Sequence, residues 1–253
     1  MSGQTIHVRR LANVDYVTLN RPEVHNAFNE QLIDEMTAWA ERAAADSLLR
    51  GVVISGAGRS FCAGADLGWM AKMAGYTQEE NLRDARAAAA MFAAIDNLPV
   101  PVIAQIHGAA LGGGAGLVAV ADIAVAADDT TFGFTEVKLG LIPAVIAPYV
   151  LTKIGQSAAR ELFVTGRRFD AAYARDIGLV HAVVPAGDLI DKVNKYLIEI
   201  ASNGPEAMSA AKALLRKIAD LPIVDAAPIT AKAIAGRRVS DEAQKLMRAF
   251  LKK

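Results

Sequence analysis

Residues 55–67 (SGAGRSFCAGADL) and 107–116 (HGAALGGGAG) form two glycine- and alanine-rich segments, each placed just after a short apolar run. Small side chains in such places let a ligand approach the backbone closely. If a helix starts there, its first N–H groups lack intrahelical partners and favour negative charge. The crevice beyond the carboxyl ends of parallel strands is also where open α/β sheets hold ligands. A plainer reading stands beside this one, in which the glycines only permit tight turns and close helix–strand packing. Two such segments in one chain weigh toward a ligand.

Other patterns carry less. Residues 114–119 (GAGLVA) match the dinucleotide pattern G-x-G-x-x-G/A, with Glu136 about twenty residues on. The strand expected after that helix ends at Asp128-Asp129, however, so Glu136 lies beyond the position for a ribose contact. Residues 58–62 (GRSFC) lack the last glycine of a nucleophile elbow. No Walker A sequence occurs. The four histidines, His7, His25, His107 and His181, are far apart and show no zinc spacing, so no metal site is expected.

The elements that must position these segments alternate. Residues 6–10 and 16–19 read as strands joined by a turn at Asn13-Val14-Asp15. Asn26 reads as the cap of a helix with Phe28, Leu32, Met36 and Trp39 at helical spacing. Residues 51–55 (GVVIS), 100–106 and 122–127 read as strands of a parallel sheet, buried on both faces. An alanine-rich helix is expected over 78–97. The alternation predicts an α/β fold. After Ala144 only residues 180–184 read as a strand. Pro205 suits the first position of a helix, and Ser240 suits the cap of another over 241–251. A turn is expected at Ser202-Asn203-Gly204. No repeat, low-complexity tract or long linker is evident.

Composition bounds the function. Lys plus Arg number 27 and Asp plus Glu number 27, so the chain has no overall electrostatic footprint for nucleic acid. One cysteine, Cys62, excludes an internal disulfide and fits a reducing compartment. No apolar run is long enough to span a bilayer, and the first residues lack the apolar core of a signal peptide. A soluble cytoplasmic protein is expected, acting on neither membrane nor nucleic acid.

Ordered motifs then carry a resemblance. Asn20-Arg21-Pro22 with Asn26-Ala27-Phe28, residues 61–67 (FCAGADL), residues 108–114, Phe132-Gly133 with Glu136, and Gly140-Leu141-Ile142-Pro143 together resemble the enoyl-CoA hydratase/isomerase (crotonase) superfamily. The resemblance covers nearly the whole chain. It implies an α/β spiral of ββα units over residues 1–190 and a helical C-terminal trimerisation region over 191–253. It implies acyl-CoA thioester substrates, no cofactor beyond the CoA of the substrate, and a homotrimer or a dimer of trimers.

Carried over residue by residue, the resemblance places an oxyanion hole at the backbone N–H groups of Ala65 and Gly113. It places the CoA and acyl path along Val24, His25, Ala63, Asp66, Leu67 and Gly112, with Phe250 and Lys253 reaching CoA from the C-terminal helix. For Asp66 a helix-capping role stands equally beside the nucleotide-loop role. Hydratases of the family present two glutamates. Glu136 matches the second, whereas Gly116 stands where the first belongs. Glu136, just after Thr135, also reads as a first-turn acid that stabilises a helix start.

Three readings of Gly116 stay open. One glutamate could serve both proton transfers, or recruit Glu79, Glu80 or Asp84; the enzyme could be a Δ3,Δ2-enoyl-CoA isomerase; or the protein could bind acyl-CoA without turnover. The first is favoured, because residues 65–70, 114–118 and 136–149 look like bacterial methylglutaconyl-CoA hydratases, which also have glycine at that position. Ala144-Val145-Ile146 replace small residues after the proline and point to a branched acyl group. Lys72, Lys138 and Arg83 could meet an acidic substrate, or be solvated surface charges.

Overall fold

The computed structural model describes residues 4–252. Its strands are β1 (Ile6–Leu11), β2 (Val14–Leu19), β3 (Gly51–Gly56), β4 (Val102–Ile106), β5 (Ala109–Leu111), β6 (Ile123–Ala127), β7 (Thr131–Gly133), β8 (Arg168–Asp170) and β9 (Ala182–Val184). The α-helices are α1 (Glu30–Ala45), α2 (Leu67–Met73), α3 (Gln78–Asp96), α4 (Gly113–Val120), α5 (Ala147–Thr165), α6 (Ala171–Asp176), α7 (Leu189–Ala201), α8 (Pro205–Ile218), α9 (Ile223–Arg238) and α10 (Asp241–Phe250).

The main sheet runs β1-β2-β3-β4-β6-β9; β1 pairs antiparallel with β2 and every other pairing is parallel. Alternate residues of one strand feed two cores, as a period of two requires. Val52 and Ile54 of β3, with Ala124 and Ala126 of β6, join α1, α3 and α4 on one face. Val53, Ile103, Val125 and Ala127 meet Leu189, Val193 and Ile200 of α7 on the other. Burial on both faces explains why these strands read as continuous apolar runs.

Two expectations move. The β1–β2 turn is Ala12-Asn13, both with positive φ (48° and 63°), and Leu11 pairs directly with Val14. Such left-handed pairs match the twist of a two-residue hairpin, so Val14 and Asp15 belong to β2. Asn29, not Asn26, caps α1, its side chain accepting from the Leu32 N–H at 2.9 Å. Asn26 is buried at φ 57° and ties loops together instead. Its Oδ1 accepts from Arg21 N at 2.9 Å, and its Nδ2 donates to the Ala57 and Ser60 carbonyls at 2.8 Å each.

The second sheet, β5-β7-β8, is built of three-residue strands, too short for a sequence signal. Aromatic packing holds it: Phe132 stacks on Phe169 at 5.8 Å, and Phe134 meets Phe163 edge-on at 5.1 Å. Thr77 and Glu80 form a capping box that starts α3. At the other end Pro205 opens α8 and Ser240 caps α10, as expected. No residue of α8, α9 or α10 is fully buried. Among the described residues no helix is long and apolar enough to cross a membrane.

Candidate active site

Three pieces of backbone meet beyond the ends of β3 and β4. The loop after β3 is stitched to β5, with Cys62 N donating to Ala109 O and Leu111 N to Cys62 O, each at 2.9 Å. It is stitched also to the segment before α1, with Phe28 N donating to Gly64 O at 2.7 Å and Asp66 N to Phe28 O at 2.8 Å. Gly112, at φ 49°, joins β5 to α4 and donates to Gly133 O at 2.8 Å.

These bonds aim two donors. A trans peptide holds its C=O and N–H on opposite sides. Because Gly64 O faces Phe28, the Ala65 N–H must face away from it. Because Gly112 O accepts from Gly116 N at 3.0 Å as the first bond of α4, the Gly113 N–H points out of the helix start. Neither N–H has an acceptor among the described residues. The loops touch: a methyl on Gly112 would lie 3.8 Å from the Gly64 Cα, and one on Gly113 would lie 2.9 Å from the Phe28 ring. Gly64, at φ 98°, and Gly112 therefore tolerate no ordinary side chain.

Glu136 borders the same place. The methyl imagined on Gly112 would be 3.1 Å from its Oε1, and its Oε2 is buried without a hydrogen-bond partner. Glu136 opens a 3-10 turn (Glu136–Leu139) directly after β7, whose neighbouring Phe132 and Phe134 are fully buried. Burial pushes its carboxyl above the ordinary value, partly opposed by its own backbone N–H. A half-buried carboxylate with one oxygen left without a donor has room to take a proton.

The position expected to lack a carboxylate is filled by hydrocarbon. A methyl on Gly116 would lie 2.3 Å from Cγ2 of Ile146 and 3.1 Å from the Phe92 ring. Ile146 is 3% exposed, and Phe92 packs against Phe28 and Tyr149 at 6.0 and 6.3 Å. The substitute carboxylates have other work. Glu80 accepts from Thr77 N at 2.7 Å in the capping box, and Asp84 accepts from the Trp69 indole at 3.3 Å. Glu79 is exposed on α3.

Asp66 caps α2, Oδ1 accepting from Gly68 N at 2.7 Å and Trp69 N at 3.1 Å, while Oδ2 pairs with Arg21 at 2.8 Å. Burial would raise its carboxyl, yet these donors hold it below the ordinary value. Of its two expected roles, the capping one describes these contacts. His25 accepts from Ala63 N through its carbonyl at 3.0 Å, so Val24, His25 and Ala63 line one edge of the loop. Leu67 is 82% exposed at the start of α2. Phe250 is 78% exposed on α10, which packs on α9 and reaches the start of α8 through Glu242. It is not brought to this site. Lys253 lies outside the described residues. Lys72 pairs with Glu30 at 3.3 Å, and Arg83 and Lys138 are exposed. Cys62 is buried, and burial pushes its thiol up to about 12, which makes it a packing residue. Among the described residues no cluster of three His, Cys, Asp or Glu could hold a metal.

Sequence reasoning quoted Arg21, Asn26 and Phe28 as motif letters without seeing that they hold the loop after β3. Only their contacts reveal it.

The profile of the enoyl-CoA hydratase/isomerase family matches residues 9–253. Among solved structures, a candidate enoyl-CoA hydratase/isomerase (crotonase) from Legionella pneumophila is 43% identical, covers 99% of this chain and 97% of its own, and superposes with a TM-score of 0.93. An enoyl-CoA hydratase from Shewanella pealeana is 36% identical over 98% and 93% of the two chains, with a TM-score of 0.95. A candidate enoyl-CoA hydratase from Thermus thermophilus is 31% identical over 241 residues, 95% of each chain. The α/β core with its helical C-terminal region is the fold of these proteins.

Proposed function

The chain belongs to the enoyl-CoA hydratase/isomerase family, and from that premise we propose that it hydrates a 2-enoyl-CoA thioester with Glu136 as its one acid/base. The Ala65 and Gly113 N–H groups hold the thioester oxygen. As water adds its oxygen to C3, the Glu136 carboxylate takes one of the water's protons and the double-bond electrons move onto the thioester oxygen. The same carboxyl then returns a proton to C2, so atoms and charge balance. Two main-chain donors suit this step, since each one aimed at a developing oxyanion contributes about 3–4 kcal/mol. The reading is carried by one observation, the Glu136 Oε2, buried without a hydrogen-bond partner among the described residues, on a carboxylate beside the junction of the two loops.

Ile146 packed on Gly116 leaves no place there for a second carboxylate, which favours a second reading. A Δ3,Δ2-enoyl-CoA isomerase needs only one base to move a proton between C2 and C4. Purified protein mixed with a 2-enoyl-CoA should lose the 2-enoyl absorbance. Gain of that absorbance from a 3-enoyl-CoA, with no hydration, would select the isomerase. Glu136→Gln should lower turnover about 100-fold or more with thioester binding retained. Equal rates in both proteins would remove Glu136 from the mechanism. Binding with no turnover by the unaltered protein would leave an acyl-CoA-binding protein.

The acyl group we propose is branched, because Ala144, Val145 and Ile146 add bulk after Pro143, with the buried Ile146 packed where a Gly116 side chain would lie, near Phe92. We also propose a homotrimer or a dimer of trimers. Its basis is the C-terminal helices, which bury nothing fully while Ile223, Val224, Val239 and Phe250 are more than three-quarters exposed. In that assembly residues 1–190 form the catalytic core. Residues 191–253 supply the contact, with Phe250 of the C-terminal helix proposed to meet CoA. The lone buried Cys62 fits a cytoplasmic setting.

A further inference from the structure

We infer that Arg21 is a positioning residue for the Ala65 N–H, acting through its fork between Ala27 and Asp66; the inference rests on the oxyanion role proposed above.

The Ala65 donor sits in a loop tied to β5 through Cys62 and to the segment before α1 through Ala63 and Phe28. Its peptide is aimed by the pair of bonds to Phe28, and what keeps that pair in register is the link between the segment before α1 and the loop after β3. Arg21 makes that link from the side. Its Nη1 donates to the Ala27 carbonyl, one residue before Phe28, and its Nη2 donates to Asp66 Oδ2 at 2.8 Å, one residue after Ala65. One rigid, planar group thus touches both strands of the bridge, a task for which a lysine's single ammonium is poorly shaped.

The fork is itself fixed. Arg21 N donates to Asn26 Oδ1 and Arg21 O accepts from Asn26 N, both at 2.9 Å, while Asn26 holds the Ala57 and Ser60 carbonyls at the start of the same loop. The Arg21 and Asp66 side chains are only 16% and 13% exposed, so solvent screens the pair weakly. Asp66 also caps α2 with its other oxygen. Turning the Asp66 carboxylate would therefore move the residue next to the donor. Errors of about 1 Å in a reacting group can cost 100-fold in rate.

The test uses Arg21→Lys, Arg21→Met, Asp66→Asn and the double variant Arg21→Met/Asp66→Asn. Three readouts apply to each: kcat and KM for but-2-enoyl-CoA, melting temperature, and the infrared band of carbonyl-labelled butanoyl-CoA bound to the protein. The expected result is a fall in kcat of about 10- to 100-fold for Arg21→Met, with KM nearly unchanged. The bound carbonyl band should shift back toward its free position, and Arg21→Lys should lie between. The double variant should lose no more than the worse single one, as a shared path predicts. Variants that melt earlier but keep kcat and the carbonyl band would overturn the inference, leaving Arg21 a stabilising residue only. A carbonyl band not displaced even in the unaltered protein would instead remove the oxyanion reading, and this one with it.

Discussion

The two walls of the site use glycine to opposite ends. On one wall Gly64 and Gly112, both at positive φ, bring two loops together beside Glu136 and leave two N–H donors without acceptors. On the other wall Gly116 lies inside α4 at ordinary helical geometry, and its missing side chain is replaced by Ile146. The first wall leaves polar atoms free beside Glu136, and the second is filled with hydrocarbon. Within one glycine run, therefore, some positions set the backbone beside Glu136 and others only permit packing. Gly108 and Gly114 belong to the packing kind, since a methyl on either would meet a carbonyl oxygen at 2.0 or 2.3 Å.

The comparison breaks most decisively at Gly113. Gly113→Pro deletes the donor and should cut turnover about 100- to 1,000-fold. Gly113→Ala keeps the N–H but presses on Phe28 and should lose less than about tenfold. Similar losses in both would make the effect steric and leave the polar wall without its second donor. A smaller effect sharpens the apolar wall. Gly116→Glu drives Cβ into Ile146, and overpacking of this kind costs about 1–3 kcal/mol, so the protein should melt several degrees earlier. Adding Ile146→Ala should restore most of that loss. No restoration would mean that Ile146 is not the obstruction.

The smallest effect concerns charge. The folded protein holds the Glu136 proton more tightly than the unfolded chain does, because burial raises its pKa. That contribution is complete below the unfolded value and is lost as pH rises through the folded one. Ionising that carboxylate in the folded protein is therefore a net burden on the fold. Glu136→Gln should then raise the melting temperature by at most about 2–4 °C, with the gain shrinking toward pH 4. A lower melting temperature would mean that the carboxylate has a favourable partner after all. The hydratase rate should also fall with acidity from a pH above the ordinary carboxylate range.

Much of the frame was legible in the sequence because burial on both faces writes continuous apolar runs, as in β3, β4 and β6. Pro205 and Ser240 marked helix starts through local chemistry that needs no tertiary context. The three-residue strands β5, β7 and β8 were not legible, since tertiary stitching makes them strands. Asn26 misled for a related reason. Asparagine caps helices and also tolerates left-handed backbone, and only the burial of its amide against Ala57 and Ser60 decides between the two. At the candidate site, residue types pointed to the two loops, and the family resemblance pointed to Glu136. Arg21 and Phe28, which hold one loop in place, contribute contacts that no spacing rule displays.

The contact between Gly116 and Ile146 also constrains how such a site could change over generations. A lineage acquiring the missing glutamate first must pass through a chain that packs badly. One trimming the isoleucine first passes through a chain with a buried void, which carries a cost of its own. Either order passes through a less stable chain, so the present pairing would resist single-step change even where a second carboxylate brought an advantage.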